Sequence, residues 1–424
     1  MPLAVQFTDS STAASGWTWY FGDESFAGTW ANMTVSPGWS AREWHSMVAI
    51  PSNGGMLVLM GGSDPDGNSL NDTWYSTDQG TTWYQGSSGA QWSAREQFSS
   101  VVLPDDSIVL TGGYADDYMN DSWRSFDYGV SWLPVPKSGV GWSGRISHRS
   151  VAMPDGTIIL TGGYAKSGAT GMEMVNKNDT WLLYYNTASW IEVNSSSGWN
   201  DRTGHCMVVL PDSSIVLMGG DDSEHSGFHV NRIFNDTWRS TDNGYHWTLM
   251  NVSGGWTPRE GHACVAMPDG SILLMGGRAY PDFLHDIWRS ADKGATWTKV
   301  QANPAWTARE YPVAAALPDG SVVIAGGYDD SVGSRNDTWR LQTAGSNLIN
   351  PVHTYVSPGL YTVALQVFNS AGWASTRKAG YITVGGQTKI GVLRSSTYRF
   401  YLDYNGNGVW DGSVTDRLYV FGRA

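Results

Sequence analysis

Apolar residues in this chain fall in runs of roughly four to six positions bounded by turn formers, and one arrangement of them recurs six times. Its clearest copy, Trp256 to Trp297, reads WTPREGHACVAMPDGSILLMGGRAYPDFLHDIWRSADKGATW. His262 to Met267 is mostly apolar and runs into Pro-Asp-Gly, a hairpin signal. Ser271 to Met275 is apolar at almost every position, which predicts a strand covered on both faces and too short for a helix. Gly276 and Gly277 end it. A third strand is expected from Asp286 to Ser290 and, beyond the turn at Asp292-Lys293-Gly294, a fourth beginning near Trp297. The first glycine of the pair falls at Gly61, Gly112, Gly162, Gly219, Gly276 and Gly326, in steps of 51, 50, 57, 57 and 50 residues. A period of this size marks stacked supersecondary units.

Six units of four antiparallel strands predict an all-β, six-bladed propeller, because neighbouring blades cover each other's faces around an axis. A β-solenoid has shorter rungs without two tight hairpins each. The first strand-like piece after Asp23, AGTWANMTV over 27–35, matches a fourth strand such as GATWTKV over 294–300. The sixth unit stops at its third strand, NDTWRLQ over 336–342. A strand from the front therefore completes the last blade and leaves no open edge.

Composition narrows the setting. The 424 residues include 51 Gly, 23 Trp and 20 Tyr but only 15% charged residues, a profile of all-β extracellular proteins with room for more than one domain. A net charge of −13 argues against nucleic acid and anionic membranes. No stretch approaches the roughly 20 apolar residues of a membrane span. Met1 opens no signal peptide, since Val5 to Asp9 already reads as a strand; the chain is expected to be cytosolic or, in preference, a processed piece of a secreted protein. Cys206 follows His205 directly, whereas Cys264 lies two residues after His262, so strand alternation points them to opposite faces of equivalent strands. Two buried thiols are expected, with a bridge or a metal role as the alternative.

VQFTDSSTAASGWTWYFGD (5–23) and HTYVSPGLYTVALQVFNSAG (353–372), closing with YITV (381–384), resemble the two halves of a PKD domain, a small immunoglobulin-like sandwich of extracellular proteins. The matching residues are Trp17, Trp19, Phe21, Gly22 and Asp23, then His353, Tyr355, Pro358, Gly359, Tyr361, Val363, Leu365, Val367 and Asn369. The propeller is read as an insertion in that sandwich, giving a first half over 1–24, the propeller over 25–345, a second half over 346–386 and a small C-terminal β unit over 387–424. The blade signature at Arg259, His262, Gly276, Gly277, Asp286, Trp288 and Trp297 resembles kelch repeats over roughly residues 27–342. The turn S-x-D-x-G-x-T-W, complete at Ser76–Trp83 and Ser290–Trp297 and looser at Ser125–Trp132 and Ser240–Trp247, resembles the Asp-box of sialidase-like propellers. Both signatures imply fold rather than chemistry.

Arg42, Arg95, Arg145, Arg202, Arg259 and Arg309 recur once per blade, often before Glu, as at Glu43, Glu96, Glu260 and Glu310. Such regularity predicts structural hydrogen bonds or stacking on Trp, with an anionic ligand at the channel mouth as the alternative. The repeated tryptophans read as packing, or less readily as a sugar platform. Function belongs where repeats differ, in the loops after Gly-Gly, longest at Tyr164–Lys177 and Asp221–Phe234. The second of these carries Asp221, Asp222, Glu224, His225 and His229, a weak metal or ligand candidate beside the reading of a solvated acidic loop.

The segment from Lys389 to Gly422 resembles a blade-like repeat found in surface proteins of methanogenic archaea. Within it Asp403, Asn405, Asn407, Gly408 and Asp411 fit D-x-[DN]-x-[DN]-G-x-x-D, with the Val409 carbonyl a further ligand, predicting a weak calcium loop against a metal-free Asx turn. Asn32, Asn71, Asn120, Asn178, Asn194, Asn235, Asn251 and Asn336 all stand in N-x-[ST] glycosylation sequons. No catalytic constellation of a galactose oxidase or a sialidase is present. The sequence therefore predicts a non-catalytic extracellular or surface protein for adhesion, ligand binding or surface architecture. Its expected partners are surface proteins or glycans, or other copies of itself in a filament built through the C-terminal repeat. A carbohydrate-active enzyme is the alternative.

Overall fold

The structure is a computed structural model that describes residues 2–24, 26, 28–34, 36–136, 141–167, 173–184, 189–222, 232–342, 345–369, 372–385, 391–394, 399–402 and 417–420. The described residues contain no α-helix; the molecule is all-β. Six four-stranded antiparallel sheets follow one another along the chain, each ordered as an up-and-down meander. In the fifth, Ala263–Ala266, Ile272–Met275, Ile287–Ser290 and Thr298–Gln301 run from the axis outward. The second strand of every blade is wholly buried, as its unbroken apolar run requires. The sixth sheet takes its outermost strand from the front of the chain: Trp30–Thr34 pairs with Thr338–Leu341, placing Asn32 opposite Trp339.

The innermost strands form a closed ring, each packed on the next and Val313–Ala316 on Ser46–Ile50. Backbone hydrogen bonds fasten the same ring. The second glycine of each pair donates to the arginine carbonyl of the following blade, from Gly62 to Arg95 around to Gly327 to Arg42, at 2.9–3.1 Å. These glycines hold φ between +91° and +99°, and a Cβ on any of them would lie 2.5–2.7 Å from a carbonyl oxygen one strand away. Gly277→Ala is accordingly expected to cost about 1–3 kcal/mol in backbone strain alone, read as a lower urea midpoint.

The cysteines are not two thiols. Cys206 and Cys264 form a disulfide, with Cα atoms 6.2 Å apart. Alternation does point the two to opposite faces of equivalent strands, but those strands belong to neighbouring blades, and the two faces look at each other. A forward-facing residue of one blade meets a rearward-facing residue of the next, so opposite parity brings the side chains together. Equivalent positions confirm this: the Ser46 and Ser100 hydroxyls lie 2.6 Å apart between blades one and two, and Ser99 Oγ accepts from the Ser150 amide between blades two and three.

Outside the ring, Leu3–Gln6 pairs with Val352–Tyr355, and Gly16–Tyr20 with Gly359–Asn369, which also pairs with Gly372–Val384. Phe7, Trp19, Phe21, Tyr355, Val363, Leu365 and Val384 make the core between these sheets. Thr18 Oγ1 donates to the Pro318 carbonyl at 2.5 Å, docking the sheets on the hairpin end of blade six. At the C-terminus Gly391–Arg394, Arg399–Leu402 and Arg417–Val420 form a three-stranded sheet. No helix among the described residues is long and apolar enough to cross a membrane.

Candidate functional site: the axial tunnel and its loop-face mouth

The repeated arginines are fully buried, Arg145 at 1% exposure and the other five at 0%. Their Nη1 groups lie 2.6–2.7 Å from Asp72, Asp121, Asp179, Asp236, Asp286 and Asp337, and also donate to the carbonyl of the first glycine at 2.8–3.0 Å. Each aspartate also accepts from the indole two residues on, as Asp179 does from Trp181 at 2.9 Å. Burial opposes ionisation of Asp72, Asp121, Asp179, Asp286 and Asp337, yet the guanidinium beside each outweighs it and holds the carboxyl below its usual range. Arg42, Arg145, Arg202, Arg259 and Arg309 also sit 5.7–6.0 Å from the Trp ring that opens their repeat. With every guanidinium already occupied by a carboxylate, these arginines are structural and do not form the anion site entertained from sequence.

The following residue in each blade bridges by its backbone to the loop after Gly-Gly, so the variable loops and the Arg-Glu segments share one face. Four of these residues are carboxylic acids, Glu43, Glu96, Glu260 and Glu310. Burial, and then the Glu96 charge, pushes Glu43 up to about 7. Burial likewise raises Glu310 to about 7, where Arg278 opposes and the Glu260 and Glu43 charges reinforce the shift. Glu96 and Glu260 are also raised by burial.

One residue further, Trp44, Gln97, Ser147, Gly204, Gly261 and Tyr311 all take left-handed conformations, with φ from +50° to +59°. Each amide from Gln97 to Tyr311 donates to the carbonyl of its counterpart in the preceding blade, at 2.6–3.2 Å, so these residues collar the tunnel. Tyr311 lies across Gly261, and its hydroxyl donates to Glu260 Oε2 at 3.2 Å. Below the collar is a cavity of about 170 Å³ lined by Ser46, Ser100, Ser147, Arg149, Tyr311 and the disulfide. At the opposite end a vestibule of about 770 Å³ is ringed by the apolar residue–proline pairs from Pro51 to Pro318 and partly roofed by Gln366 and Val367.

Beside the collar, His45, His148, His205 and His262 pack against the first glycine of the preceding blade. Burial first, and then nearby arginine charge, depresses all four, His45 to about 3. The unfolded chain therefore binds more protons than the folded one below pH 6.5, and the histidines' contribution to stability is lost as pH falls. Glu43 and Glu310 have the opposite sign: their raised folded values give stability below pH 4.5 that is lost as pH rises to about 7. The two sets oppose each other between pH 4.5 and 6.5. Urea titrations are expected to show a shallow profile there and a steep loss below pH 4.5, with Glu43→Gln/Glu310→Gln gaining on wild type as pH rises from 4.5 to 7.

Of the residues singled out from sequence, Asp221 bridges to Thr203 and Ile233, and Asp222 accepts from Arg232 Nε at 2.7 Å. Glu224, His225 and His229 lie outside the described residues, as do Asp403, Asn405, Asn407, Val409 and Asp411. Among the described residues no group of three or more His, Cys, Asp or Glu is placed to hold a metal ion. In five of the sequons Nδ2 serves the fold: Asn71, Asn120, Asn178, Asn235 and Asn336 donate to the carbonyl of the Trp that opens the next blade. Asn194 and Asn251 donate to Tyr245 and Ala295, while Asn32 is exposed on the closing strand.

The KLHDC2/KLHL20/DRC7 Kelch-repeats domain matches residues 18–220 and again 156–349. The chain belongs to the kelch-repeat family. A curated F-box/kelch-repeat protein from Arabidopsis thaliana is 24% identical over 258 residues, covering 56% of this chain and 51% of that protein. The chain thus spans about half the length of that relative. In this kelch propeller the Arg, the Gly-Gly carbonyl and the Asn-Asp-x-Trp turn form one hydrogen-bonded knot per blade. Arg149 departs from the repeat: it stands where the other blades have Ser46, Ser99, Cys206, Ala263 and Val313.

Proposed function

We propose that this kelch propeller is a non-catalytic binding scaffold of the extracellular space or cell surface, serving adhesion, ligand binding or surface architecture. The carrying observation is how side chains are divided between framework and face. The Arg, Asp and Trp of every repeat, and the Asn of five, are committed to bonds within and between blades, which leaves the groups of the loop face for a partner. That face offers the half-buried Glu43, Glu96 and Glu260 together with aromatic groups such as Tyr114 and the 75% exposed Tyr280, while Glu310 is buried against Arg278. Carboxylates beside aromatic rings suit basic peptide segments of surface proteins, or glycans. The Cys206–Cys264 bridge supports an oxidising compartment.

On this reading the paired sheets at the two ends of the propeller are a PKD sandwich, from residues 1–24 and 346–386, and the calcium loop at Asp403–Asp411 belongs to a C-terminal repeat over 387–424. The outer strands of that repeat's sheet offer edges for a second copy in a filament. Glycans are assigned first to Asn32, whose side chain is exposed. Glycan and basic-peptide arrays probed with the intact chain, with Glu43→Gln/Glu96→Gln and with the rim variant Ile191→Ser test the binding role. Binding is expected to fall in the loop-face variant and persist in the rim variant. Turnover of a bound glycan, or binding indifferent to the loop-face change, contradicts the reading.

A further inference from the structure

The tunnel holds a cation that the framework does not balance. Arg149 opens the innermost strand of blade three, Arg149–Ala152, at the position that carries small or uncharged side chains in the other five blades. Its Nε donates to the His205 carbonyl of blade four at 2.8 Å, which carries the guanidinium across the interface toward the axis. The six repeat arginines all have aspartate partners, and Arg124 and Arg340 have theirs in Asp105 and Asp319. Arg149 has no carboxylate within ion-pair distance among the described residues. The titratable groups that feel its charge are the Tyr311 phenol and the rings of His148, His205 and His262, all kept neutral by burial. An unpaired charge deep inside a protein is costly unless something neutralises it.

Deep as Arg149 lies, it keeps part of its surface accessible, and the cavity of about 170 Å³ supplies that access. The other walls of the cavity carry the hydroxyl groups of Ser46, Ser99 and Ser100, while those of Ser147 and Tyr311 already donate to Gln97 and Glu260. Hydroxyls donate to an anion at low cost, and a guanidinium offers its paired N–H groups to an oxyanion. None of the four glutamates lines the cavity, and Glu260 meets it only through the Tyr311 hydroxyl that donates to it. The vestibule end bears apolar residues and prolines, so an anion reaching the cavity from that end avoids the acidic mouth. We propose that the tunnel is a binding site for a small oxyanion, of phosphate or carboxylate size, held by the Arg149 guanidinium and the surrounding hydroxyls.

Crystals of the intact chain soaked in bromide, and calorimetric titrations with inorganic phosphate and with acetate at constant ionic strength, test this. An anomalous peak against the Arg149 guanidinium is expected, together with binding of phosphate or acetate that Arg149→Gln weakens at least about tenfold, the loss of one charge-assisted pair. Whichever of the two binds more tightly identifies the class. A tunnel containing only water in the bromide crystals, or titrations unchanged by Arg149→Gln, overturns the proposal. Should Arg149→Gln not fold, the wild-type bromide map decides alone.

Discussion

Asp179→Ala is expected to lower stability by about 3–5 kcal/mol, because it strands the Arg145 guanidinium inside blade three without a counter-charge. The magnitude follows from enclosure. Asp179 is 7% exposed, and besides Arg145 it serves the Trp181 indole, so one truncation unmakes three hydrogen bonds. Replacing both charges, as in Arg145→Met/Asp179→Leu, is expected to recover much of the loss, since the desolvation cost of the pair disappears with it. Lys166→Ala provides the contrast. It breaks the exposed pair with Asp117 and is expected to change stability by less than about 1 kcal/mol. Urea midpoints followed by tryptophan fluorescence measure all three.

The second large effect belongs to the bridge between blades four and five. Cys206 and Cys264 close a loop of 58 residues of sequence separation, and removing such a cross-link costs about 4 kcal/mol by chain entropy. Cys206→Ala/Cys264→Ala is expected to melt at a lower denaturant concentration by that amount, and the wild-type chain, unfolded without reductant, is expected to leave no cysteine open to alkylation. Labelling of both cysteines would remove the bridge and, with it, the support for an oxidising compartment.

The architecture was legible where local chemistry repeats. Hairpin turns opened by proline, wholly apolar second strands and paired glycines recur in all six units, and six copies averaged out the noise of any single one. Even the strand at Trp30 announced itself, because it repeats the Trp-x-x-x of an outermost strand while the sixth unit lacks one. Features that depend on how one blade faces the next were not legible. Face alternation within one sheet kept Cys206 and Cys264 apart, yet the same parity joins them across two sheets. The Arg-Glu pairs had identical sequence logic but separate fates: the arginines are consumed by aspartates 26–34 residues away in sequence, whereas the glutamates gather at the axis, where burial raises their affinity for protons. Arg149 was passed over in the sequence, although it interrupts the repeat, and its isolation inside a cavity is a property of the closed ring alone.

That ring is the claim on which the loop face, the collar and the tunnel all depend, and amide hydrogen exchange tests it most directly. If Trp30–Thr34 completes the sixth blade, the amides of its ladder to Thr338–Leu341 will exchange slowly and together with those of Val322–Ala325, through a single cooperative opening. Rapid exchange of residues 30–34 while 322–325 stay protected would mean that the circle is open at its seam.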